Sequence, residues 1–439
     1  MIELRTAEIA ELTRGDSHAD AIVTGVTVDS RAVQPGDLFV ALAGERADGT
    51  AFADQALGAG AAAALVRRGA EGPGRIAVDD PLAALGVLAR EVRLRSRARV
   101  VGITGSTGKT STKDILAALV RPHAAVVASR QNENNELGVP LTLTRIDVAT
   151  EVAVVEMAMR GLGQIAYLAE IARPQIGIVT GVGPVHLELL GTVENVAAAK
   201  AELLEALPAD GVAIVPFAEP LLDPHVERLD CTVVTFGAAP GADVRLLDFR
   251  PGAGQGEAEI DVRGRTLRVS VTFTAPHNAI NLTAALAAYE SLGLPLDDVA
   301  ADPLDVAFSR WRGEELPLPG GGLLIADCYN ANPTSMRAAL EHLAAVSHGR
   351  RRVAVLGDMA ELGEGADAYH EQVGVTAAEL GIDQVVAVGR RARLYGGRWF
   401  ATVDDAREAL AGLIQPGDVV LVKASRSMGL EALVEAIEP

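Results

Sequence analysis

The sequence predicts an α/β protein of three domains. A central P-loop-type, mostly parallel sheet with helices on both faces lies between a small N-terminal α/β domain and a Rossmann-like, doubly wound C-terminal domain. Three observations support this prediction. The 439-residue chain is too long for one hydrophobic core. Apolar runs alternate with helical segments from about residue 99 onward. A Gly/Pro-rich tract at residues 314–322 indicates a junction or turn. We therefore divide the chain into residues 1–98, 99–314 and 315–439.

The first 98 residues predict the small α/β domain. Strand-like runs occur at residues 22–28, 37–42 and 62–66, and a helical pattern occurs at residues 52–59. A basic tract follows at residues 90–99. We interpret this tract as the solvated end of a helix, because most charge runs face water.

The remaining predicted elements belong to the two larger domains. Apolar runs at residues 152–155, 176–180, 212–215 and 233–236 predict parallel strands covered on both faces. Residues 244–273 alternate polar and apolar side chains, so we expect an antiparallel hairpin insertion there. The Ala-rich segment at residues 278–292 predicts a helix packed inside the domain. Runs at residues 323–327, 353–356, 384–388 and 419–422 predict the doubly wound sheet.

Composition excludes several classes of function. The net charge of −19 argues against a nucleic-acid partner or an anionic membrane surface. The two cysteines, Cys231 and Cys328, offer neither a disulfide framework nor a zinc spacing, as expected in a reducing compartment. We see no signal peptide and no apolar run of about 20 residues that would span a membrane. We expect a cytoplasmic monomer with no membrane insertion.

A Gly-rich turn after an apolar run predicts a phosphate cradle. Residues 104–110 read Thr-Gly-Ser-Thr-Gly-Lys-Thr and precede a helical pattern. Backbone N–H groups and a helix N-terminus favour an anion here, with Lys109 on the β- and γ-phosphates and Thr110 on Mg²⁺. The long form of this motif has Gly where Ile103 stands, so the cradle is a compact version.

Three polar residues near predicted strand ends are candidates for the same site. Glu156 follows a strand and could hold Mg²⁺ beside the cradle; alone, such a residue is usually a cap or surface group. His186 follows another strand, and a ligand or catalytic role is as plausible as a structural one. Lys200 lies in a helical run at residues 193–207 and by itself predicts a solvated lysine, because an ammonium repels Mg²⁺.

Three further polar segments leave two interpretations open. The amide-rich residues 131–140 suit a polyhydroxylated or diphosphate ligand, or form an ordinary Asn-rich turn. Residues 327–333 contact a ribose or base, or cap the helix predicted at residues 335–343. Residues 423–427, Lys-Ala-Ser-Arg-Ser, combine cations and hydroxyls that suit a carboxylate or phosphate.

Together these segments resemble the Mur ligases of peptidoglycan synthesis, along essentially the whole chain. The compact cradle is similar to the phosphate loop of that family, which accounts for Ile103. Residues 132–140, 329–333, 356–363 and 423–427 resemble signatures of the last-acting branch. That branch joins D-alanyl-D-alanine to UDP-N-acetylmuramoyl-tripeptide. The Asp-Asn-Pro-Arg motif of the diaminopimelate-adding branch does not occur in this sequence.

The resemblance implies ATP as cofactor, two Mg²⁺ ions and a carbamylated Lys200, whose anionic oxygens are compatible with Mg²⁺. The implied catalytic residues are Lys109, His186, Lys200 and Arg426. The implied metal ligands are Thr110, Glu156, His186 and Lys200. The implied ATP-binding residues are Gly105, Ser106, Thr107, Gly108, Lys109, Thr110, His277, Asn278, Asn281, Arg312, Asn330 and Asn332. The implied substrate-binding residues are Ser30, Arg31, Asp48, Asn132, Asn134, Asn135, Lys423, Ser425 and Arg426, with residues 44–49 also at the UDP-sugar end.

Three departures from the family pattern occur. Thr50, Ala424 and Gly313 stand where the family usually has His, Gly and a larger residue. Only the first bears on substrate contacts, and none removes a phosphate or metal group. The alternatives to this ligase are another Mur-type amide ligase, such as a folylpolyglutamate synthetase-like protein, and a nucleotide-binding module without activity.

Overall fold

A computed structural model describes residues 1–44, 48–252, 254–410 and 412–437. In residues 1–44 and 48–98, the sheet order is β2-β7-β6-β5-β4, with the β2–β7 pair antiparallel and the other pairs parallel. A separate antiparallel pair joins β1 and β3. The strands are β1 Leu4–Arg5, β2 Asp16–Ser17, β3 Ile22–Val23, β4 Gly25–Thr27, β5 Asp37–Val40, β6 Ala63–Arg67 and β7 Arg75–Val78. The helices are α1 Thr6–Thr13, α2 Ala53–Gly58 and α3 Pro81–Arg95.

Two expectations for this domain are corrected. The single strand predicted at residues 22–28 is two short strands, β3 and β4, which pair with different partners. The basic tract is mostly the solvated end of α3, as expected. The exception is Arg93, which is 93% buried and whose Nε donates to the Ala172 carbonyl at 2.9 Å. Helix α3 begins where Asp80 accepts from the backbone of Leu82 and Ala83 and Pro81 occupies the first turn.

The central domain is built on one long sheet. In residues 99–252 and 254–313 its order is β16-β15-β14-β13-β12-β11-β8-β10-β9. The strands are β8 Arg99–Thr104, β9 Val126–Ala128, β10 Val152–Glu156, β11 Ile176–Val179, β12 Val212–Pro216, β13 Thr232–Gly237, β14 Val244–Pro251, β15 Gly256–Val262 and β16 Arg265–Val271. The helices are α4 Lys109–Val120, α5 Gly138–Thr144, α6 Gln164–Ala172, α7 Leu187–Leu190, α8 Val193–Glu205, α9 Asp223–Val226 and α10 Pro276–Ser291.

The side chains of the central strand β8 point alternately into two hydrophobic cores, one on each face of the sheet. Val101 and Ile103 point into the core that α4 and α10 cover, whereas Val100 points into the core on the opposite face. That opposite core continues into α3 of the N-terminal domain. The helix expected at residues 278–292 is α10, and its middle is buried, as predicted.

The expected hairpin insertion at residues 244–273 is more extensive than predicted. It forms three antiparallel strands, and β14 also pairs in parallel with β13. The segment therefore extends the central sheet rather than standing apart from it.

The C-terminal domain has the sheet order β17-β18-β22-β19-β20-β21 in its described residues. The strands are β17 Glu314–Leu318, β18 Gly322–Ala326, β19 Arg352–Gly357, β20 Gln384–Val388, β21 Arg398–Phe400 and β22 Val419–Lys423. The helices are α11 Pro333–Val346, α12 Ala366–Glu379, α13 Val403–Leu410 and α14 Glu431–Ile437. In the order β18-β22-β19-β20-β21, each pair of neighbouring strands is parallel, as in doubly wound folds.

The turn that was one interpretation of residues 314–322 is wrong for most of that length. Residues 314–318 form β17, which pairs antiparallel with β18, and only residues 319–321 turn. An edge strand tolerates Pro317 because its missing N–H is not needed on the open side. The domain boundaries themselves stay a prediction. Within the described residues, no helix is long and apolar enough to cross a membrane.

Candidate active site

The phosphate cradle lies in the middle of the central sheet. Strand β8 runs between β10 and β11 and ends at Thr104, and α4 begins at Lys109. Gly105 has a φ of 148° and Gly108 a φ of 79°, a region that favours glycine. A Cβ at Gly105 would collide with the Thr180 hydroxyl, and one at Gly108 with the Asn281 amide. The unpaired N–H groups at the start of α4 therefore form an anion site that side chains would block.

Lys109 folds over this loop. Its Nζ donates to the Gly105 carbonyl at 2.6 Å. Burial lowers the pKa of Lys109, nearby Arg312 lowers it further, and Glu156 opposes both. A bound phosphate would place negative charge beside Lys109 and so favour its protonated form.

Glu156 ends β10 and is 99% buried. One carboxylate oxygen accepts from the Thr110 hydroxyl at 2.7 Å and the other from the Asn134 amide at 2.8 Å. The Glu156 backbone N–H donates to the Ser129 hydroxyl at 3.0 Å. Glu156 is therefore not a surface cap. Its carboxylate is fixed beside Thr110, the arrangement in which a P-loop holds Mg²⁺.

Lys200 lies on α8 and is 97% buried. It lines a cavity of about 40 Å³ with Gly105, Lys109, His186 and Asn332. The solvated lysine expected from the sequence is therefore wrong. Its Nζ makes no hydrogen bond or ion pair within the described part of the chain. Burial first, and then the charge of Lys109, lower the pKa of Lys200 well below its ordinary value.

His186 joins the central and C-terminal domains. Its Nδ1 bonds to the carboxylate of Glu361, which lies four residues beyond β19. Burial lowers the pKa of His186, Glu361 opposes this, and Lys109 and Lys200 add to the lowering. The residue has a φ of 53° and precedes the short helix α7.

A loop from the C-terminal domain closes the cradle cavity. Asn332 caps α11 by accepting from the Ser335 N–H at 2.9 Å, and its amide donates to the Ser106 carbonyl at 3.5 Å. The helix-cap interpretation of this segment is therefore confirmed, and the same residue also reaches the cradle. Asn330 lines the cavity with it and accepts from the Ala331 N–H at 2.9 Å.

Lys423 and Ser425 hold this loop from behind. Lys423 is 98% buried, and its Nζ donates to the Asp327 carboxylate at 2.7 Å and the Asn330 carbonyl at 3.0 Å. The Ser425 hydroxyl accepts from the Ala360 N–H at 2.9 Å and donates to the Ala331 carbonyl at 3.4 Å. The polar groups of both side chains are thus engaged within the protein.

Two arginines stack on aromatic rings at the domain junction. The Arg312 guanidinium carbon lies 4.0 Å from the Tyr329 ring centre, and that of Arg426 lies 4.7 Å from the Trp311 ring centre. Arg426 also pairs with Glu431 at 3.3 Å. Cation–π stacking positions both guanidinium groups. The edge of Arg312 has no partner in the described chain and is available to an anion, whereas Arg426 already faces Glu431.

The predicted ATP-binding residues His277, Asn278 and Asn281 lie at the start of α10. The Asn281 amide donates to the Asn278 side chain at 3.0 Å, and both are buried. The His277 Nδ1 is buried without a hydrogen-bond partner in the described chain. Burial, together with His342 and Lys423, lowers the pKa of His277 to about 3.

A cleft of about 750 Å³ adjoins the cradle cavity, and Ala158, Met159 and His186 line both. We call it the amide-lined cleft. The predicted substrate residues Asn132, Asn134 and Asn135 all line it, together with Arg160, Gln164 and Tyr329. The Asn135 carboxamide oxygen also accepts from the Gly138 N–H at 2.9 Å, so the turn and ligand interpretations are compatible.

The predicted substrate residues of the N-terminal domain are not brought to this cleft. Arg31 is exposed, and its Nη2 donates to Asp29 at 2.8 Å, which helps to hold the pKa of that carboxyl at about 2. Asp48 accepts from the Thr50 N–H at 2.9 Å. Neither these residues nor Ser30 lines the amide-lined cleft or the cradle cavity. Residues 45–47 of the predicted segment lie outside the described residues.

The donors around the cradle fit Mg²⁺ better than a metal held by protein alone. No group of three or more His, Cys, Asp or Glu side chains in the described chain could hold an ion. Mg²⁺ takes one or two carboxylates and completes its shell with phosphate oxygens and water. Glu156 and Thr110 supply such a half-site, and Lys200 would add oxygen donors only if carbamylated.

Family models match most of the chain in three consecutive segments. Residues 22–103 match the Mur ligase family catalytic domain, 103–289 the Mur ligase middle domain, and 311–426 the Mur ligase glutamate ligase domain. The chain belongs to the Mur ligase family. The Mur ligase cradle and the C-terminal loop that closes it thus come from different family domains.

Several known proteins are similar over the full length of this Mur ligase. The UDP-N-acetylmuramoyl-tripeptide–D-alanyl-D-alanine ligase of Mycobacterium tuberculosis is 38% identical, with 100% of this chain and 98% of the relative covered. The solved UDP-N-acetylmuramoylalanyl-D-glutamyl-2,6-diaminopimelate–D-alanyl-D-alanyl ligase of Acinetobacter baumannii is 29% identical, with a TM-score of 0.84 and coverage of 99% and 98%. The MurF ligase of Thermotoga maritima, solved in complex with ADP, is 30% identical, with a TM-score of 0.83 and coverage of 94% and 97%.

Two residues of this Mur ligase site were not predicted from the sequence. Glu361 lies within residues 356–363, which carried part of the resemblance, but its contact with His186 links two domains. Arg160 follows Glu156 by four residues and lines the amide-lined cleft. A search for polar residues beyond each strand end, and not only at it, would have found both.

Proposed function

We propose that this protein is an ATP-dependent amide ligase that joins D-alanyl-D-alanine to UDP-N-acetylmuramoyl-tripeptide in peptidoglycan precursor synthesis. The observation that carries the proposal is the convergence of Lys109, Glu156 and Lys200 at one cradle, closed by Asn332 from the C-terminal domain. The full-length similarity to the Mycobacterium tuberculosis ligase supports the substrates. The ADP bound by the Thermotoga maritima relative supports the nucleotide.

Activation of a carboxylate accounts for the use of ATP. The terminal carboxylate of the tripeptide attacks the γ-phosphorus of ATP, and the bond from this phosphorus to the β-phosphate oxygen breaks. ADP is released, and the carboxylate becomes an acyl phosphate. The D-alanyl-D-alanine amine attacks the acyl carbon, and the tetrahedral intermediate expels phosphate and loses a proton. The net products are the amide, ADP and phosphate.

The protein contributes mainly position and charge. The N-terminus of α4 and Lys109 hold the β- and γ-phosphates and offset the charge that develops on them. Arg312 and Asn330 approach the nucleotide from the domain junction, and Asn332 seals the cavity against water. We expect the incoming dipeptide beside residues 423–426. Arg426, whose side chain is half exposed, would contact it directly, whereas Lys423 and Ser425 would act through the loop that they hold.

Mg²⁺ fits Thr110, Glu156, His186 and a carbamylated Lys200, and when bound it neutralises phosphate charge. The carbamate is chemically accessible because the buried Lys200 amine has a lowered pKa. A neutral amine attacks the carbon of CO₂, forms an N–C bond and releases one proton. The product is an anion where an amine without a hydrogen-bond partner in the described chain would otherwise be buried.

Phosphate release tests the proposal directly. Purified protein receives ATP, Mg²⁺ and UDP-N-acetylmuramoyl-tripeptide, with and without D-alanyl-D-alanine. We expect release that depends on the dipeptide and is lost in Lys109→Ala. Release that ignores the dipeptide, or that requires glutamate instead, would favour a different Mur-type ligase. No release with any acceptor would favour a binding module without activity.

A further inference from the structure

The amide-lined cleft contains a guanidinium that the proposed mechanism does not use. Arg160 lies between β10 and α6, and its side chain is 73% exposed. Among the described residues that line the cleft, it is the single Lys or Arg. Amides of Asn132, Asn134 and Gln164 supply much of the remaining polar lining. Glu136 is the single Asp or Glu among the described lining residues and forms no ion pair with Arg160, so the guanidinium remains open to an anionic ligand.

The backbone that presents Arg160 is held firmly. The Arg160 N–H donates to the Gln164 side chain at 2.7 Å, and the Ala158 N–H donates to the Asn134 carbonyl at 2.7 Å. Glu202, two residues beyond Lys200, accepts from the Gly163 N–H at 2.6 Å. The loop is therefore tied to the amide segment on one side and to α8 on the other.

The Arg160 guanidinium has one long ion-pair contact and no hydrogen bond within the described chain. Its nearest carboxylate is that of Glu361, at 3.8 Å from Nη2, which is too long for a hydrogen bond. Glu361 already bonds to His186. No hydrogen bond to the Arg160 side chain occurs within the described ranges, so all five of its N–H donors remain available.

The substrate carries the matching charge. The name of the Acinetobacter baumannii ligase includes a peptide with D-glutamyl and 2,6-diaminopimelyl residues. Each of these two residues has two carboxyl groups. The D-glutamyl residue uses one in its peptide bond, and the diaminopimelyl residue uses one in the ligation. One carboxylate on each residue therefore stays free, close to the reacting group.

We propose that Arg160 binds a free, non-reacting carboxylate of the peptide and so positions the terminal carboxylate at the cradle. The inference rests on the proposed function. A guanidinium and a carboxylate can form two parallel hydrogen bonds, which fix orientation as well as affinity. The shared His186 and Met159 walls place that contact next to the cradle cavity. Arg160 is thus a substrate-binding residue that discriminates between peptides by charge.

Steady-state kinetics with altered enzyme and altered substrate test this assignment. We expect Arg160→Gln to raise the KM for the UDP-linked tripeptide at least tenfold, with the KM for ATP unchanged and kcat within about threefold. Arg160→Lys should recover part of the loss. The matched control is Arg90→Gln, which removes one exposed cation from α3, outside the cleft.

Two modified tripeptides identify the carboxylate. One has lysine in place of diaminopimelate, and the other has the free D-glutamyl carboxylate converted to an amide. Against the substrate that lacks the recognised carboxylate, wild type and Arg160→Gln should have equal KM values. A tenfold effect that persists with both modified substrates would overturn the proposal.

Two other outcomes would also contradict it. An unchanged tripeptide KM in Arg160→Gln excludes the contact. A fall in kcat alone, reproduced by Glu361→Gln, would show that Arg160 acts through domain closure. Wild-type turnover of the unmodified substrates is measured in the same series, so failure of the ligase function itself is recognised separately.

Discussion

Two buried lysines near the cradle differ in whether protein groups accept hydrogen bonds from their Nζ atoms. Lys423 is 98% buried and donates to the Asp327 carboxylate at 2.7 Å and to the Asn330 carbonyl at 3.0 Å. Lys200 is 97% buried, and its Nζ makes no hydrogen bond to the described residues. Lys200 lines the cradle cavity from the central domain, whereas Lys423 lies behind the C-terminal loop that closes this cavity.

The difference shows which lysine the fold leaves available. A buried charge is tolerated when a carboxylate and carbonyls replace its water, as they do for Lys423. Without such partners burial favours the neutral amine, and the pKa of Lys200 is lowered accordingly. Lys423 therefore secures the loop at residues 327–332, whereas Lys200 is left without a partner in the described chain, as the proposed carbamylation requires.

The largest expected effect is on activity at Lys200. We expect Lys200→Ala to lower kcat about a hundredfold or more, because the proposed carbamate, whose oxygens would lie beside the phosphates, cannot form. Acetate should restore part of the activity by supplying a small carboxylate in the vacated space. Phosphate release at increasing acetate concentration measures both effects.

Lys109→Ala is the control for that rescue. It also removes a buried amine from the cradle, but its role requires a positive charge, so acetate should not restore it. Full activity of Lys200→Ala, or equal rescue of the two variants, would remove the carbamate from the mechanism.

The next effect is on stability at Lys423. We expect Asp327→Asn to lower the free energy of unfolding by about 3 kcal/mol, because the Lys423 ammonium is left without its carboxylate. The value is at the lower end for a buried pair since the Asp327 side chain is 19% exposed. Urea unfolding followed by circular dichroism measures it.

A double variant distinguishes an unpaired charge from a damaged loop. Replacing Lys423 with Met in the Asp327→Asn background removes the charge while roughly keeping the volume. The double variant should be more stable than Asp327→Asn alone. If it is less stable, the ion pair is not the source of the loss.

The sequence predicted much of this site but not the contrast between the two lysines. The cradle, Glu156 and the strand-end placement of residues 327–332 followed from apolar runs and a Gly-rich motif, which are local signals. The burial of Lys200 depends on how α8 packs beneath β8 and on the approach of Asn332 from another domain. Residues 314–318 were misassigned for a similar reason, since pairing with β18 outweighed the Pro and Gly content.

A third prediction concerns the pH dependence of stability at Lys200. In CO₂-free buffer at neutral pH, Lys200→Met should raise the free energy of unfolding by about 1–3 kcal/mol, because an unsatisfied buried amine is removed. The folded pKa of Lys200 is lowered from 10.5, so the unfolded chain binds a proton that the folded chain does not. Wild-type stability therefore gains from rising pH up to that value.

Urea unfolding of both proteins between about pH 7 and pH 9 tests the sign. The advantage of Lys200→Met should shrink as the pH rises. Added bicarbonate should also shrink it, since carbamylation gives the wild-type side chain an anionic group. A constant difference between the two proteins would mean that Lys200 keeps its proton in the folded state.

The smallest effect belongs to an exposed ion pair in the same domain as Lys423. Arg391 and Asp367 lie 3.1 Å apart, with side chains that are 47% and 70% exposed. Asp367→Asn makes the same chemical change as Asp327→Asn, but water solvates the arginine left behind. We expect the free energy of unfolding to fall by less than about 1 kcal/mol, by the same urea measurement. Equal losses in the two Asp→Asn variants would show that burial does not decide the cost, and the contrast between Lys423 and Lys200 would lose its physical basis.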